Sequence, residues 1–247
     1  MKANKEKIVK RKKISVVLAL AGILLIPAII MPVSAEEPEL PEPDNEGDII
    51  WADAGRIPGV SGWDHSQLHV GSSSCIEADP HTEKWPSPWN HTLPSLIPNW
   101  KLKELEDDYG RVEYTDINET YYEYKEAEPK PGDKGHVAMG YGEVGTQQIN
   151  RDKAVDFVEE QENDSRKFDL ISYWKWNTKQ IDEDDAAIPE RGRKYYCSEL
   201  VWASYAYEEV GIDLDPDLFK VTPQELYDEI DDDSNDHEIY WQYRQPI

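Results

Sequence analysis

Cysteine is scarce in this chain: Cys75 and Cys197 are the only two in 247 residues. One disulfide is the most they can form, which excludes a cross-linked scaffold in place of a hydrophobic core. Positive charge is scarce too. There are 26 Lys and Arg against 51 Asp and Glu, for a formal net charge of −25. Nucleic-acid phosphates would be repelled over most of such a surface, so nucleic acid is excluded as a partner. No internal repeat is present. Aromatic residues, in contrast, are plentiful, with nine Trp and fourteen Tyr. Disordered acidic chains are poor in aromatics, so this composition describes a folded domain with a strongly hydrated exterior. The length allows one sizeable core or two small ones.

The N-terminus differs from the rest. Met1 to Lys13 carries seven basic residues and one acidic one, and the apolar run Ile14 to Val33 follows. Val33-Ser34-Ala35 supplies the small residues a signal peptidase requires. The run is longer than an ordinary signal core, so an uncleaved membrane anchor is the alternative; Pro27 and Pro32 favour cleavage. Both readings keep the basic flank inside and place the remainder outside the cytoplasm, secreted or at the cell surface. Removing residues 1–35 leaves 19 basic against 50 acidic residues, a charge of −31. Asn90, Asn118 and Asn163 head glycosylation sequons, meaningful only where exported proteins are glycosylated.

Residues 36–46 (EEPELPEPDNE) read as an acidic, proline-rich tether, and the domain is expected to span 47–247. A turn at Gly47-Asp48 leads into a strand through Ile49-Ile50-Trp51. Further strands are expected over His65 to Val70 and Cys75 to Ala78, separated by Gly71 and three serines. His65, Gln67 and His69 share one face of the first of these, and Cys75 and Glu77 share one face of the second. If the two pair as a hairpin, His65 and Glu77 lie side by side, as a base and its orienting group would. Residues 81–110 are a Trp- and Pro-rich insertion, with Trp85, Trp89 and Trp100 expected to anchor it. Arg111 to Tyr124 suggests strands, and so does His136 to Val144. Ile149 to Gln161 predicts an amphipathic helix, with Ile149, Ala154, Phe157 and Val158 inward and Asn150 as cap. Thr222-Pro223-Gln224-Glu225 has the residues of a capping box. Asp231, Asp232 and Asp233 read as a solvated end.

Lys194 to Gly211 (KYYCSELVWASYAYEEVG) predicts a helix starting at Cys197. Leu200, Val201, Ser204, Tyr205 and Glu208 recur at helical spacing as an apolar stripe with a polar margin, and Gly211 supplies the stop. A thiol on a first helical turn meets unpaired N–H groups and the positive end of the dipole, which favour thiolate. The competing reading is a buried structural cysteine. A second competing reading joins Asp64, His65, His69, Asp79 and His81 as metal ligands. HxxxH on a strand lacks the helical context that gives this spacing its meaning in metalloproteases.

Four segments occur in a telling order: Gly47-Asp48-Ile49-Ile50, His65 to Gly71, Ile76-Glu77-Ala78 and Tyr196-Cys197-Ser198-Glu199-Leu200-Val201. Together they resemble the circularly permuted papain-like hydrolases of the NlpC type, the YiiX/YebB-like group related to lecithin retinol acyltransferase. The likeness covers roughly 47–230 and includes Ala154 to Phe157, Gln161, Phe168-Asp169, Gly211 to Asp215 and Val221-Thr222-Pro223. The cysteine segment follows the histidine strand, the order a permuted member requires. The resemblance implies an α+β, papain-like fold, a small antiparallel sheet or partial barrel packed against the cysteine helix. It implies Cys197 as nucleophile, His65 as general base and later acid, and Glu77 as the group orienting the imidazole. Asp79 and His81 are alternatives for Glu77, while Tyr196 and Asp48 are supporting groups.

The expected function is hydrolysis or acyl transfer on amide, peptide or ester bonds through a Cys197 acyl-enzyme, with no cofactor or metal. Substrates would be peptide, cell-envelope or lipid acyl groups, with membrane association through the N-terminal segment. A lipid acyltransferase or thioesterase is one variant of this reading. A catalytically silent binding module at the cell surface is the alternative from another class. Cys75, on the face of Glu77, raises the further expectation of a disulfide to Cys197 that would block catalysis.

Overall fold

The computed structural model describes residues 40–53, 63–81, 84–89, 96–126, 136–169, 194–215, 220–232 and 236–246. Residues 1–35, where a signal or anchor segment is expected, lie outside them. Among the described residues no helix is long and apolar enough to cross a membrane.

The fold is α+β. Strands β1 (Ile49–Asp53), β2 (His65–Gly71), β3 (Ser74–Asp79), β4 (Arg111–Asp116), β5 (His136–Glu143) and β8 (Glu238–Pro246) form a six-stranded sheet. The order is β4-β3-β2-β1-β5-β8, and every neighbouring pair is antiparallel. Two short strands, β6 (Lys167–Phe168) and β7 (Lys194–Tyr195), pair in parallel apart from it. The helices are α1 (Asn99–Tyr109), α2 (Ile117–Glu126), α3 (Gln148–Asn163), α4 (Cys197–Ala206) and α5 (Pro223–Ile230).

Alternation along the central strands creates two cores. On one face Ile49, Trp51, Leu68, Ile76 and Ala78 join Leu200, Val201 and Tyr205 of α4 and Ala154, Phe157 and Val158 of α3. On the other, Ile50, Ala52, Cys75, Met139 and Tyr141 join Ile117 and Tyr121 of α2. All five residues of β1 are therefore buried, as a strand covered on both faces must be. Leu40 is buried in the second core, and the Asp44 N–H donates to Tyr240 Oη at 3.0 Å. The packed unit thus begins at Leu40, before the expected Gly47, and the last part of the tether lies on the domain. Gly47 turns the chain into β1 at φ +88°; a Cβ there would lie 2.7 Å from Arg151 Cβ.

Several local expectations need correction. α4 is buried from Cys197 through Tyr205 with no polar margin, because β2, β3, α3 and α5 all pack against it. It ends at Ala206, so Glu208 falls outside it. Gly211, at φ +70°, instead closes the turn that follows, its N–H donating to Tyr207 O at 2.9 Å. Residues 111–124 are a strand only to Asp116 and then become α2. The start of α3 carries no side-chain cap, its N-cap is Gln147, and Ile149 is 55% exposed. The insertion contributes α1, whose Leu102 and Leu105 enter the first core beside Trp85 and Ile97. Trp85 and partly buried Trp89 do anchor it, but Trp100 is 69% exposed. The capping box at Thr222 and Glu225 is fully formed. Asp231 and Asp232 are exposed, and Asp233 lies outside the described residues.

Candidate active site

His65 is the first residue of β2, opposite Ala52 of β1, and Glu77 stands on β3, the next strand. The two side chains meet, His65 Nε2 against Glu77 Oε2. Both are buried. Gln67, two residues along the same face of β2, donates its amide to the same Glu77 oxygen at 2.7 Å and to Thr120 Oγ1 of α2 at 2.8 Å. Beyond the imidazole lies Cys197, its sulfur within hydrogen-bonding reach of the ring. Strand alternation aligns His65 with Gln67 and hairpin pairing brings Glu77 across; α4 packs on the opposite face, against Leu68 and Ile76, and its first residue reaches the ring at the start of β2.

Electrostatics follow from this burial. Desolvation works against a charged His65, but the Glu77 carboxylate and the Cys197 sulfur outweigh it and hold the imidazole well above its usual pKa. Burial likewise works against an ionised Glu77; the His65 ring and the Gln67 amide reverse that and hold the carboxyl below its usual value. Both shifts favour an imidazolium beside a carboxylate. Asp79, two residues beyond Glu77 and partly buried, is pushed up to about 6 by burial and by the Glu77 charge.

The alternatives for the third residue separate clearly. Asp79 Oδ1 accepts from the His81 N–H at 2.7 Å and bears on His65 only through space. His81 Nε2 faces Glu113 Oε1 at 2.7 Å, and Lys84 Nζ lies 2.9 Å from its Nδ1. Of the three, Glu77 is the one whose side chain meets the His65 ring in a hydrogen bond.

At the start of α4 the N-cap Tyr196 offers no side-chain acceptor, so the first-turn N–H groups, that of Cys197 included, are not taken up by a cap. The Tyr196 hydroxyl points elsewhere, accepting from the Val221 N–H at 3.1 Å. Asp48 is not at this site. It lies at the opposite end of β1, where Oδ2 accepts from Asn45 N–H at 2.9 Å and from Tyr240 Oη at 2.7 Å. Its part is to secure the entry to the sheet, and the expectation of support at the thiol fails for it.

The two cysteines are free and both are buried. Cys75 sits in the second core among Ile50, Tyr121 and Tyr141, and burial pushes its thiol well above the usual range. A hydrophobic cage explains why sharing a face with Glu77 does not make it a partner of Cys197. His69 has Nδ1 2.7 Å from Asn45 O and Nε2 2.6 Å from Ser72 O, so both ring nitrogens already face carbonyls. Among the described residues no group of three His, Cys, Asp or Glu side chains is arranged to hold a metal ion.

Gln67 and Thr120 escaped the sequence reading. Gln67 was legible as a neighbour of His65 on one strand face, but its bond to Glu77 depends on the register across the hairpin. Thr120 was masked by the β-like composition of α2. No protein-family model, no curated protein and no solved structure matches the chain.

Proposed function

We propose that this protein is an exported, thiol-dependent hydrolase or acyl transferase built on a circularly permuted papain-like domain. The observation that carries the reading is the continuous contact from Cys197 through His65 to Glu77, drawn from a late helix and two early strands. His65 Nε2 is turned to Glu77, and the same ring is shared with Cys197. A buried imidazolium beside a carboxylate supports a thiolate partner, and thiolate is the attacking form.

In this mechanism the Cys197 sulfur attacks the carbonyl carbon of an amide or ester. An S–C bond forms while the carbonyl electron pair moves to oxygen, where the Cys197 backbone N–H at the start of α4 donates to it. The His65 imidazolium protonates the leaving nitrogen or oxygen as its bond to carbon breaks, leaving a thioester. Neutral His65 then takes a proton from water, or from an acceptor hydroxyl or amine, which attacks the thioester and releases Cys197. Glu77 keeps the ring oriented and stabilises its charged form throughout. Peptide, cell-envelope and lipid acyl groups all suit this chemistry.

Incubation with a library of peptides and lipid esters, read by intact and peptide mass spectrometry, tests the assignment. An acyl adduct on Cys197 that is lost in His65→Ala supports it. An absence of any adduct, with thiol-probe labelling equal in wild type and His65→Ala, leaves a silent cell-surface binding module instead.

A further inference from the structure

Lys220 is held beside the nucleophile by its main chain. The next residue, Val221, donates its N–H to Tyr196 Oη at 3.1 Å and accepts from Ser198 Oγ at 3.0 Å. Tyr196 and Ser198 are the two chain neighbours of Cys197, so the main chain at Val221 is fastened on both sides of the thiol. The Lys220 ammonium lies 5.8 Å from the centroid of the Tyr196 ring, within cation–π range. The side chain is partly buried. Burial draws the ammonium below its usual pKa, and the charges of Cys197 and Glu225 offset part of that.

A cation here is conspicuous for this chain. The formal charge is −25, and the carboxyls Glu77 and Asp79 both act on the nucleophile's histidine. An anionic substrate approaching the thiol meets the field of these carboxyls, and the Lys220 ammonium adds to the His65 ring in offsetting it. A neutral acyl donor gains nothing from that charge.

We propose that Lys220 is a substrate-binding residue that selects acyl donors carrying a carboxylate next to the reacting carbon. The proposal rests on Cys197 as the nucleophile and adds the class of substrate. Recognition would be electrostatic, through a partly exposed ammonium, so its strength should fall with ionic strength.

Two small alkylating reagents test it on the intact chain. Iodoacetate and iodoacetamide both form an S–C bond to Cys197 with loss of iodide; they differ in carrying a carboxylate or a neutral amide. They are also small enough for a residue that is only 4% exposed. Rates at Cys197 are measured by peptide mass spectrometry, and their ratio is normalised to that for N-acetylcysteine. The expected result is a normalised preference for iodoacetate that drops about fivefold in Lys220→Gln, the size of one partly exposed charge contact. Lys220→Arg should retain the preference, and about 1 M salt should suppress it in wild type. Because the ratio is internal to each variant, a general loss of thiol reactivity does not mimic the effect. An equal ratio in wild type and Lys220→Gln, with both reagents labelling Cys197, overturns the role of Lys220 alone. Failure of both reagents to label Cys197 in the folded protein removes the nucleophile, and this proposal falls with it.

Discussion

Gln67 donates its side-chain amide to the very oxygen of Glu77 that meets His65, at 2.7 Å. The same amide group reaches Thr120 Oγ1 at 2.8 Å, so α2 is tied to the carboxylate through a single side chain. A buried carboxylate with two donors on one oxygen is fixed in direction, and the imidazole it contacts is fixed with it. Gln67→Met keeps length and apolar volume but removes the donor. The expected outcome is a loss of about 1–3 kcal/mol in stability, together with slower alkylation of Cys197. Urea midpoints and iodoacetamide kinetics check this. Wild-type rates in a destabilised variant would make Gln67 merely a packing residue.

Glu77→Gln tests the charge pairing directly. His65 is held above 6.5 in the native protein and Glu77 below 4.5. The imidazole's contribution to stability is therefore complete below about pH 6.5 and is lost as pH rises through the native value. The carboxylate's contribution is present above about pH 4.5 and is lost as pH falls through its own lowered value. Glu77→Gln removes the counter-charge, leaving burial to pull the His65 pKa down. NMR of the His65 ring should report a high titration in wild type and a much lower one in the variant. An unmoved titration would show that Glu77 does not govern the ring.

Cys75 and Cys197 should behave as opposites despite being the same residue type. Cys75 is fully buried in the second core with its thiol raised by burial, and a thiol without thiolate character is inert. In the folded chain a limiting alkylating reagent should mark Cys197 and leave Cys75 untouched, while in denaturant both should react. Cys75→Ala should leave the Cys197 rate within about twofold, at a stability loss of about 1–2 kcal/mol for the missing sulfur. Rapid labelling of Cys75 under native conditions would contradict this second core.

What could be read in advance followed periodicity and turn chemistry. The hairpin of β2 and β3 was legible because Gly71 and the serines after it separate two alternating runs. α5 was legible because Thr222, Pro223 and Glu225 form a local signal that needs no tertiary partner. α2 was not: its Tyr and Thr content favours strands, yet Ile117 and Tyr121, one helical turn apart, enter the second core together. The burial of α4 on all sides was equally hidden, because it depends on α3 and the sheet closing around it. For the candidate site, strand alternation put His65 and Gln67 on one face, but the exclusion of Asp48 depends on the register Ile49↔Leu68 and Ala52↔His65. That register places Asp48 and His65 at opposite ends of β1. Proximity in a sheet is a matter of pairing, and pairing is a long-range property.

Asp79 offers a last test, because its carboxyl is raised to about 6 while it ordinarily ionises near 3.8. Burial and the Glu77 charge oppose its ionisation, and His65 and His81 favour it less strongly. A carboxyl with a raised native pKa binds its proton more tightly folded than unfolded. Its favourable contribution is therefore present in acid and disappears between about pH 3.8 and pH 6. Asp79→Asn keeps an acceptor for the His81 N–H, which Asp79 now meets at 2.7 Å, and carries no charge to ionise. Its stability relative to wild type should rise as pH goes from 4 to 7, as seen in urea midpoints across that range. The carboxylate also favours the His65 imidazolium, so the variant should lower the ring's titration as well, though by less than Glu77→Gln does. A stability difference that does not vary with pH would mean that Asp79 ionises normally.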